Sequence, residues 1–208
     1  MSNIIFDLDG TLWDSTQTVQ KAWLNTFNKY KLLGKNIRID FIQNCMGKTN
    51  DEIVKMISEK LTNSVNADII LKECQNEEIR LIKKEGGKLY ANLKEVLKFL
   101  KLKNSLYIVS NCQQGYIEAF LNYYNLGDFF CDYQSPDDLL KNKTECLRGL
   151  IKRNCITNFY YIGDSEYDLF ATKNNRGKFI YAEYGFGNLD YQPSIKKLND
   201  ILLLKDLN

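Results

Sequence analysis

The sequence contains no histidine among its 208 residues. This absence excludes serine–histidine and cysteine–histidine nucleophile systems, histidine phosphatases and the usual catalytic zinc sites, because each of them needs an imidazole. Any chemistry performed by the chain must therefore use carboxylates, lysine, hydroxyls, amides or a hard metal ion.

Closely spaced cysteine pairs are also lacking, since no two cysteines form a CxxC motif. The cysteines lie far apart and mostly inside apolar segments, which favours buried free thiols over disulfides or a zinc site. The six residues concerned are Cys45, Cys74, Cys112, Cys131, Cys146 and Cys155.

Long apolar runs and an excess of charge are missing as well. No run approaches the roughly 20 residues that span a membrane, and we expect no signal peptide before the first strand. The 28 basic and 26 acidic residues give a net charge of +2, which provides no electrostatic case for nucleic acid or an anionic membrane as a partner. We expect a cytoplasmic protein, monomeric or homodimeric, with one core and an accessory lobe.

The chain opens with an apolar run, Ile4 to Phe6, that ends in two aspartates and a glycine, Asp7, Asp9 and Gly10. An apolar run bounded by a turn signal predicts a buried strand. Residues i and i+2 of a strand point to the same side, so Asp7 and Asp9 should lie side by side where the strand ends. Two desolvated carboxylates are costly, and a cation together with a reacting group would offset that cost.

A helical pattern follows Thr11 and continues as far as Gly86-Gly87, with no convincing strand between residues 14 and 86. The aromatic residues of the first helical segment fit core packing. Trp13 is the one among them that could line a pocket. Further helical segments are predicted at 39–46, 51–61 and 67–84, separated by breaks at Gly47, Asn50 and Asn63-Ser64.

Apolar strands alternate with helices after residue 87, which predicts a parallel sheet covered on both faces. Strands are expected at 106–109, 129–133, 159–162 and 179–182, and helices at 93–102, 116–124, 144–153, 167–173 and 195–204. The predicted fold class is therefore α/β, with a Rossmann-like core formed by residues 1–13 and 87–208. Residues 14–86 would be a helical domain inserted after the first strand.

Polar side chains follow several of these strands, and ligands of such sheets bind beyond the carboxyl ends of the strands. Asp7 and Asp164 offer the hard oxygen ligands that Mg²⁺ prefers. Ser110 and Asn111 offer neutral donors, and Lys143 offers a positive charge at the start of a helix. This combination suits phosphoryl transfer, with a carboxylate nucleophile that forms an aspartyl-phosphate.

Four stretches together resemble the haloacid dehalogenase superfamily, on its phosphatase side and near the phosphoglycolate-phosphatase-like branch. They occur in the family's order and spacing over nearly the whole chain. The matching stretches are Asp7-Leu8-Asp9-Gly10-Thr11, Ile108-Val109-Ser110-Asn111, Lys143 at the start of its helix, and Gly163-Asp164-Ser165-Glu166-Tyr167-Asp168.

The resemblance implies a role for each matching residue. Asp7 would be the nucleophile, and Asp9 the general acid and then the general base. Mg²⁺ would be held by Asp7, by the backbone carbonyl of Asp9 and by Asp164, with Asp168 supporting these ligands from behind. The transferring phosphoryl group would be bound by Ser110, Asn111, Lys143 and Gly10.

Residues 14–86 would then be a cap that closes over the site, excludes water and sets specificity. Gly47 and Lys48 would lie on the cap loop that faces the substrate, although a simple helix break with a solvated lysine explains them equally well. The implied substrate is a small phosphate ester such as phosphoglycolate.

Several alternatives stay open at this point. Lys141 is an alternative to Lys143, because relatives often have proline beside the lysine and this chain has Asn142. Lys143 is favoured, since the apolar spacing that follows it places the start of the helix just after it. A sugar phosphomutase and a non-catalytic phosphometabolite-binding protein are the competing functions. A dehalogenase is disfavoured, since a halide leaving group needs no acid such as Asp9.

Two other motifs do not support a phosphate site. Gly47-Lys48-Thr49 lacks the leading glycine and the preceding strand of a phosphate loop. The pair Cys74 and Arg80 has the spacing of a cysteine-phosphatase loop, but the residues between them are acidic and include no glycine.

Overall fold

The opening strand lies at the centre of a parallel sheet. The computed structural model describes residues 2–30, 37–61, 66–137 and 139–204. Within those residues six strands form one sheet in the order β5-β4-β1-β6-β7-β8, and two short strands, β2 and β3, pair separately. The strands are β1 (Ser2–Phe6), β2 (Trp13–Asp14), β3 (Lys88–Leu89), β4 (Asn104–Val109), β5 (Asp132–Gln134), β6 (Phe159–Gly163), β7 (Lys178–Ala182) and β8 (Ser194–Ile195).

Strand β1 pairs in parallel with both of its neighbours, so that Ile4 lies opposite Leu106 on β4 and Tyr160 on β6. Its side chains alternate between two apolar clusters: Ile4 and Phe6 pack into one and Ile5 into the other. Each fully buried side chain of this kind contributes about 1.5–3 kcal/mol of transfer free energy. Burial on both faces explains why the strand is continuously apolar, and the α/β fold predicted from this pattern is confirmed.

Helices cover both faces of the sheet. Helices α5 and α6 pack into the cluster of Ile4 and Phe6, and helices α7 and α8 into that of Ile5. The helices in the described residues are α1 (Thr16–Lys29), α2 (Ile39–Cys45), α3 (Asn50–Ser58), α4 (Ala67–Glu85), α5 (Leu93–Lys101), α6 (Tyr116–Tyr124), α7 (Lys143–Arg153) and α8 (Glu166–Asn174). None of those described is both long enough and apolar enough to cross a membrane.

The helices α1 to α4 form an apolar cluster of their own, built around buried residues such as Trp23, Ile42, Ile57 and Ile70. Helices α1 and α4 pack against each other along their length. The described part of the chain between Thr16 and Glu85 is helical and contains no strand. The division into a core and a helical cap at residues 13/14 and 86/87 stays a prediction.

The first helix begins later than its apolar spacing indicated. Trp13 was expected in that helix, but it lies in β2 and pairs with Leu89 of β3, so that α1 begins at Thr16. Asp14 belongs to this short strand as well, within the stretch expected to be free of strands. A large aromatic residue fits a strand as well as a helix. The three- and four-residue spacing of apolar residues after Thr11 therefore did not show whether Trp13 itself is helical.

Two further expectations were wrong in detail. The last segment, expected as a helix over 195–204, consists of β8 and a 3-10 helix, Leu198–Leu203, because Ile195 pairs with Ala182 at the sheet edge. The strand expected at 129–133 begins later: Gly127–Phe129 is a 3-10 helix, and the strand is β5. The break expected at Asn63-Ser64 lies outside the described residues.

Candidate active site

The polar residues that follow the strands lie at one edge of the sheet. Asp7 directly follows β1, Ser110 follows β4 and Asp164 follows β6. All three are buried, with 3–4% of their surface exposed. Neighbouring parallel strands end at the same edge, so residues distant in sequence meet there.

Lys143 lies inside this group and Lys141 does not. The Lys143 ammonium is 2.6 Å from Asp7 Oδ1 and 2.6 Å from Asp168 Oδ1. Lys141 is exposed, and its ammonium donates to the backbone carbonyl of Asp137. Asn142 accounts for the difference: its side chain accepts a hydrogen bond from the Glu145 amide and caps α7, so that Lys143 is the first helical residue.

Two buried carboxylates, Asp7 and Asp168, pair with the Lys143 ammonium, and a third, Asp164, lies beside them. Oxygens of Asp7, Asp164 and Asp168 lie within 4.8 Å of one another. Burial and the charge of Asp168 raise the pKa of Asp7 well above its usual value despite Lys143, and the same two causes raise the pKa of Asp164 to about 7. Three ionised carboxylates and one ammonium carry a net charge of −2, so the donor set fits a hard divalent cation such as Mg²⁺.

The three carboxylates differ in the contacts they already make. Asp168 uses both oxygens, one for Lys143 and the other for the amide and hydroxyl of Ser165 at the start of α8. It therefore serves as a helix-capping residue as well as a partner of Lys143. Asp164 Oδ2 accepts backbone N–H bonds from Phe186, at 2.6 Å, and Gly187. Asp7 and Asp164 keep more capacity for a cation than Asp168 does.

Asp9 has different neighbours from Asp7 although both follow the same strand. Among the described residues its carboxylate is not part of the acidic cluster, and its Oδ1 accepts hydrogen bonds from the hydroxyls of Ser15 and Tyr116. Burial raises the pKa of Asp9 to about 6, against the two hydrogen bonds, which lower it. Asp9 is thus an acid that can change its protonation state near neutral pH.

Gly10 makes room for Asp164. Its φ of +82° lies in the left-handed region, and a Cβ at this position would be 2.3 Å from Asp164 Oδ2. Only glycine combines that conformation with that close approach. The structure thus explains why position 10 is glycine by the space that Asp164 occupies. This explanation is separate from the phosphate contact implied by the resemblance.

Ser110 and Asn111 line the same cavity as Asp7 and Asp9. The Ser110 hydroxyl accepts a long hydrogen bond, 3.4 Å, from the Cys112 amide. The Asn111 side-chain amide donates to the backbone carbonyl of Gly47 at 2.8 Å. Its Oδ1 is buried and has no hydrogen-bond partner among the described residues. Asn111 therefore joins the sheet edge to the helical insertion.

Other contacts join the helical insertion to the sheet edge. The Tyr167 hydroxyl donates to Glu52 Oε1, and the Lys48 ammonium lies 5.7 Å from the centroid of the Tyr167 ring. The Gln113 side-chain amide donates to the backbone carbonyl of Gln75 at 3.2 Å. Together with Asn111 and Gly47, these contacts hold the insertion closed over the carboxylates.

The insertion and the sheet edge line a partly open cavity of about 60 Å³. Gly47 and Lys48, the pair expected on the substrate-facing loop, line it. Trp13, expected as a possible pocket wall, is fully buried and does not line the cavity, since it packs on Tyr116 and other aromatic rings. Trp23 of α1 lines the cavity instead.

Comparison with solved structures finds proteins of the same fold over almost the whole chain. A hydrolase of the haloacid dehalogenase-like family from Streptococcus pneumoniae has a TM-score of 0.85 and 19% identity, covering 98% of this chain and 97% of its own. A predicted phosphoglycolate phosphatase from Haemophilus somnus 129pt has a TM-score of 0.81 and 19% identity, with the same coverage of 98% and 97%. A predicted phosphatase from Clostridium acetobutylicum has a TM-score of 0.77 and 20% identity, covering 96% and 95%.

At these levels of identity the similarity concerns the fold. Comparison with curated proteins gives no significant match. The sequence pattern of one family, described as haloacid dehalogenase-like hydrolase, matches residues 4–182 and so includes every polar residue at the sheet edge described above. The chain belongs to the haloacid dehalogenase-like hydrolases, as its motifs indicated.

Proposed function

We propose that the protein is a Mg²⁺-dependent phosphatase that hydrolyses small phosphate monoesters through an aspartyl-phosphate intermediate on Asp7. One observation carries the proposal: two carboxylates at the end of one strand have separate partners, Asp7 an ammonium and Asp9 two hydroxyls. A nucleophile and a proton carrier need such separate environments. Membership of a hydrolase family and the fold shared with proteins described as phosphatases support it.

Asp7, Asp164 and the backbone carbonyl of Asp9 would hold Mg²⁺, with Asp168 fixing Lys143 beside them. The raised pKa values of Asp7 and Asp164 support this assignment, because the buried carboxylates lack enough positive charge to stay ionised. When bound, Mg²⁺ would keep these carboxylates ionised and neutralise charge on the phosphoryl oxygens.

In the first step a carboxylate oxygen of Asp7 attacks phosphorus. An O–P bond to Asp7 forms, the bond between phosphorus and the ester oxygen breaks, and the departing alkoxide takes the proton of Asp9. Lys143 orients Asp7 through the contact at 2.6 Å. The Ser110 hydroxyl and the backbone at Asn111 would bind the phosphoryl oxygens together with Lys143 and the backbone at Gly10.

In the second step Asp9, now a carboxylate, takes a proton from water. The water oxygen bonds to phosphorus, the O–P bond to Asp7 breaks, and inorganic phosphate leaves with Asp7 restored. The closed helical insertion would exclude other water during the first step. Its opening would admit substrate and release product.

The test measures phosphate release from small phosphate monoesters, including phosphoglycolate, with and without Mg²⁺. Natural protein should release phosphate only with the cation, and Asp7→Asn should reduce release to background. Asp128→Asn is the control, because Asp128 is exposed in a 3-10 helix. Turnover by Asp7→Asn equal to that of the natural protein would refute the nucleophile.

Asp9→Asn separates the two steps. With p-nitrophenyl phosphate the leaving group departs without a proton, so the first step survives while the second slows. A burst of one equivalent of nitrophenolate and protein heavier by one phosphoryl group are expected. Isomerised sugar phosphate with little free phosphate would indicate a phosphomutase, and bound ester without turnover would indicate a binding protein.

A further inference from the structure

The helical insertion contributes one buried acid to the cavity, Glu78 on α4, with 6% of its surface exposed. It lines the cavity together with Asp7 and Asp9. Its two carboxylate oxygens accept hydrogen bonds from separate groups, Oε1 from the Trp23 indole and Oε2 from the Gln113 amide at 2.8 Å. The reaction steps above do not use this carboxylate.

Glu78 has no cationic partner among the described residues. Both of its hydrogen-bond donors are neutral, and the nearby charge that acts on it is the negative one of Asp9. Burying an acid in this way costs free energy, and hydrophobic residues of similar size would fill the same space without that cost. A carboxylate can accept about four hydrogen bonds and here accepts two, so capacity remains for a donor on a ligand.

A second acceptor lies on the sheet side of the same cavity. Asn111 lines it, and the buried Oδ1 of Asn111 has no partner in the described part of the chain. Since both Glu78 oxygens already accept N–H bonds, Glu78 also acts as an acceptor. Two independent acceptors indicate a ligand that brings hydrogen-bond donors.

Among the described residues, Lys48 is the cation that lines this cavity. Its position does not turn the cavity into a site that prefers a negatively charged leaving group. Its ammonium lies over the ring of Tyr167, near the contact between Tyr167 and Glu52. The carboxylate of Glu52 on α3, which accepts from Tyr167, is also near enough to Lys48 for the two opposite charges to attract each other. Glu78 lies on a different helix, α4, where no such balance is present among the described residues.

The size of the cavity limits the ligand. About 60 Å³ corresponds to roughly four to six water molecules at about 10–15 Å³ each. With the phosphoryl group placed against Asp7, a short leaving group fits the remaining space best. The donor group must therefore be close to the ester oxygen.

Resting on the proposed phosphatase activity, we propose that Glu78 is a specificity-determining residue that accepts a hydrogen bond from the leaving alcohol. The substrates are then phosphate monoesters of short alcohols that carry an ammonium or a second hydroxyl. Esters of short hydroxy acids, phosphoglycolate among them, place a carboxylate against Glu78 and are poor substrates.

Three esters of nearly equal size test this assignment: 2-aminoethyl, 2-hydroxyethyl and carboxymethyl phosphate, the last being phosphoglycolate. In the natural protein kcat/KM for aminoethyl phosphate should exceed that for carboxymethyl phosphate at least about tenfold. Glu78→Gln should reduce this ratio at least about tenfold, mainly by raising KM for the aminoethyl ester. The oxygen of the new side-chain amide can keep the hydrogen bond from Gln113 or that from the Trp23 indole, and a cooperative thermal unfolding transition checks that the variant folds.

Glu77→Gln is the matched control, because Glu77 neighbours Glu78 on α4 but pairs with Arg80 at the surface. It should leave the ratio of the two esters unchanged. An equal or higher kcat/KM for carboxymethyl phosphate in the natural protein would overturn the assignment. A ratio that Glu78→Gln does not change would overturn it as well.

Binding of the same esters to the Asp9→Asn protein, measured by titration calorimetry with Mg²⁺, separates the two proposals. If no ester is hydrolysed by the natural protein, the proposed phosphatase fails, yet the order of affinities still decides the role of Glu78. Tighter binding of aminoethyl than carboxymethyl phosphate supports that role, and the reverse order refutes it.

Discussion

Glu78→Gln should stabilise the protein at alkaline pH, and the size of this effect follows from burial. Desolvation, partly opposed by the hydrogen bonds from Trp23 and Gln113, raises the pKa of Glu78 from 4.5 to about 7. Between these two values the folded state binds more protons than the unfolded state, so stability falls as the pH rises through this window. At 1.36 kcal/mol per pKa unit, the cost above pH 7 is about 3 kcal/mol.

Urea unfolding of the natural protein and of Glu78→Gln at several pH values measures this cost. The variant should gain about 2 kcal/mol relative to the natural protein between pH 5 and pH 8, or about 1 M in the urea midpoint for a typical slope. Other raised acids, such as Asp9, titrate in both proteins and cancel in the difference. Glu77→Gln, whose removed carboxylate is paired with Arg80, should show no such gain. A difference that stays constant with pH would refute the reasoning.

Gly10→Ala should lower stability by about 2 kcal/mol, or about 5 °C in Tm, because φ is +82° and the new Cβ would meet Asp164. Gly127→Ala is its control, since a Cβ there meets nothing within 4 Å, and equal Tm values for the two would contradict the argument. Mg²⁺ should raise the Tm of the natural protein, and less so that of Gly10→Ala, which thermal unfolding with and without the cation measures. Tyr167→Phe removes the hydroxyl that donates to Glu52, a contact between the insertion and the sheet edge. Losing about 1 kcal/mol that favours the closed insertion should raise KM about fivefold. An unchanged KM in phosphate-release assays would show that this hydrogen bond does not help to close the insertion.

The fold and the edge of the sheet that carries the polar residues could be predicted from sequence. Continuous apolar strands indicated burial on both faces, and the rule for parallel sheets then brought Asp7, Ser110 and Asp164 to one edge. The start of α7 after Asn142 distinguished Lys143 from Lys141. The chemical roles of these residues stay predictions.

The hydrogen-bond partners of Asp9 and the position of Glu78 in the cavity could not be predicted from the strand pattern. Ser15 precedes α1 and Tyr116 begins α6, and neither position has a local pattern that distinguishes it from a helix boundary. Glu78 lies on a long helix with several acids, and periodicity alone does not show which of them faces the sheet. These contacts depend on how distant elements pack, which is a property of the whole fold.

Two kinds of buried acid lie at or beside the cavity, and different groups would offset the free-energy cost of burying each kind. Asp7 and Asp168 pair with Lys143, Asp164 lies beside them, and a divalent cation would balance the remaining charge. Glu78 lies outside that cluster, on the insertion, where only neutral donors reach it among the described residues. Burial raises the pKa of Glu78 to about 7, so the carboxyl can take up a proton, and in our proposal a hydrogen-bond donor on the ligand would stabilise its charged form. If Mg²⁺ and the leaving alcohol bind as proposed, each would therefore meet a different acidic group, the metal ion at the sheet edge and the alcohol on the helical insertion.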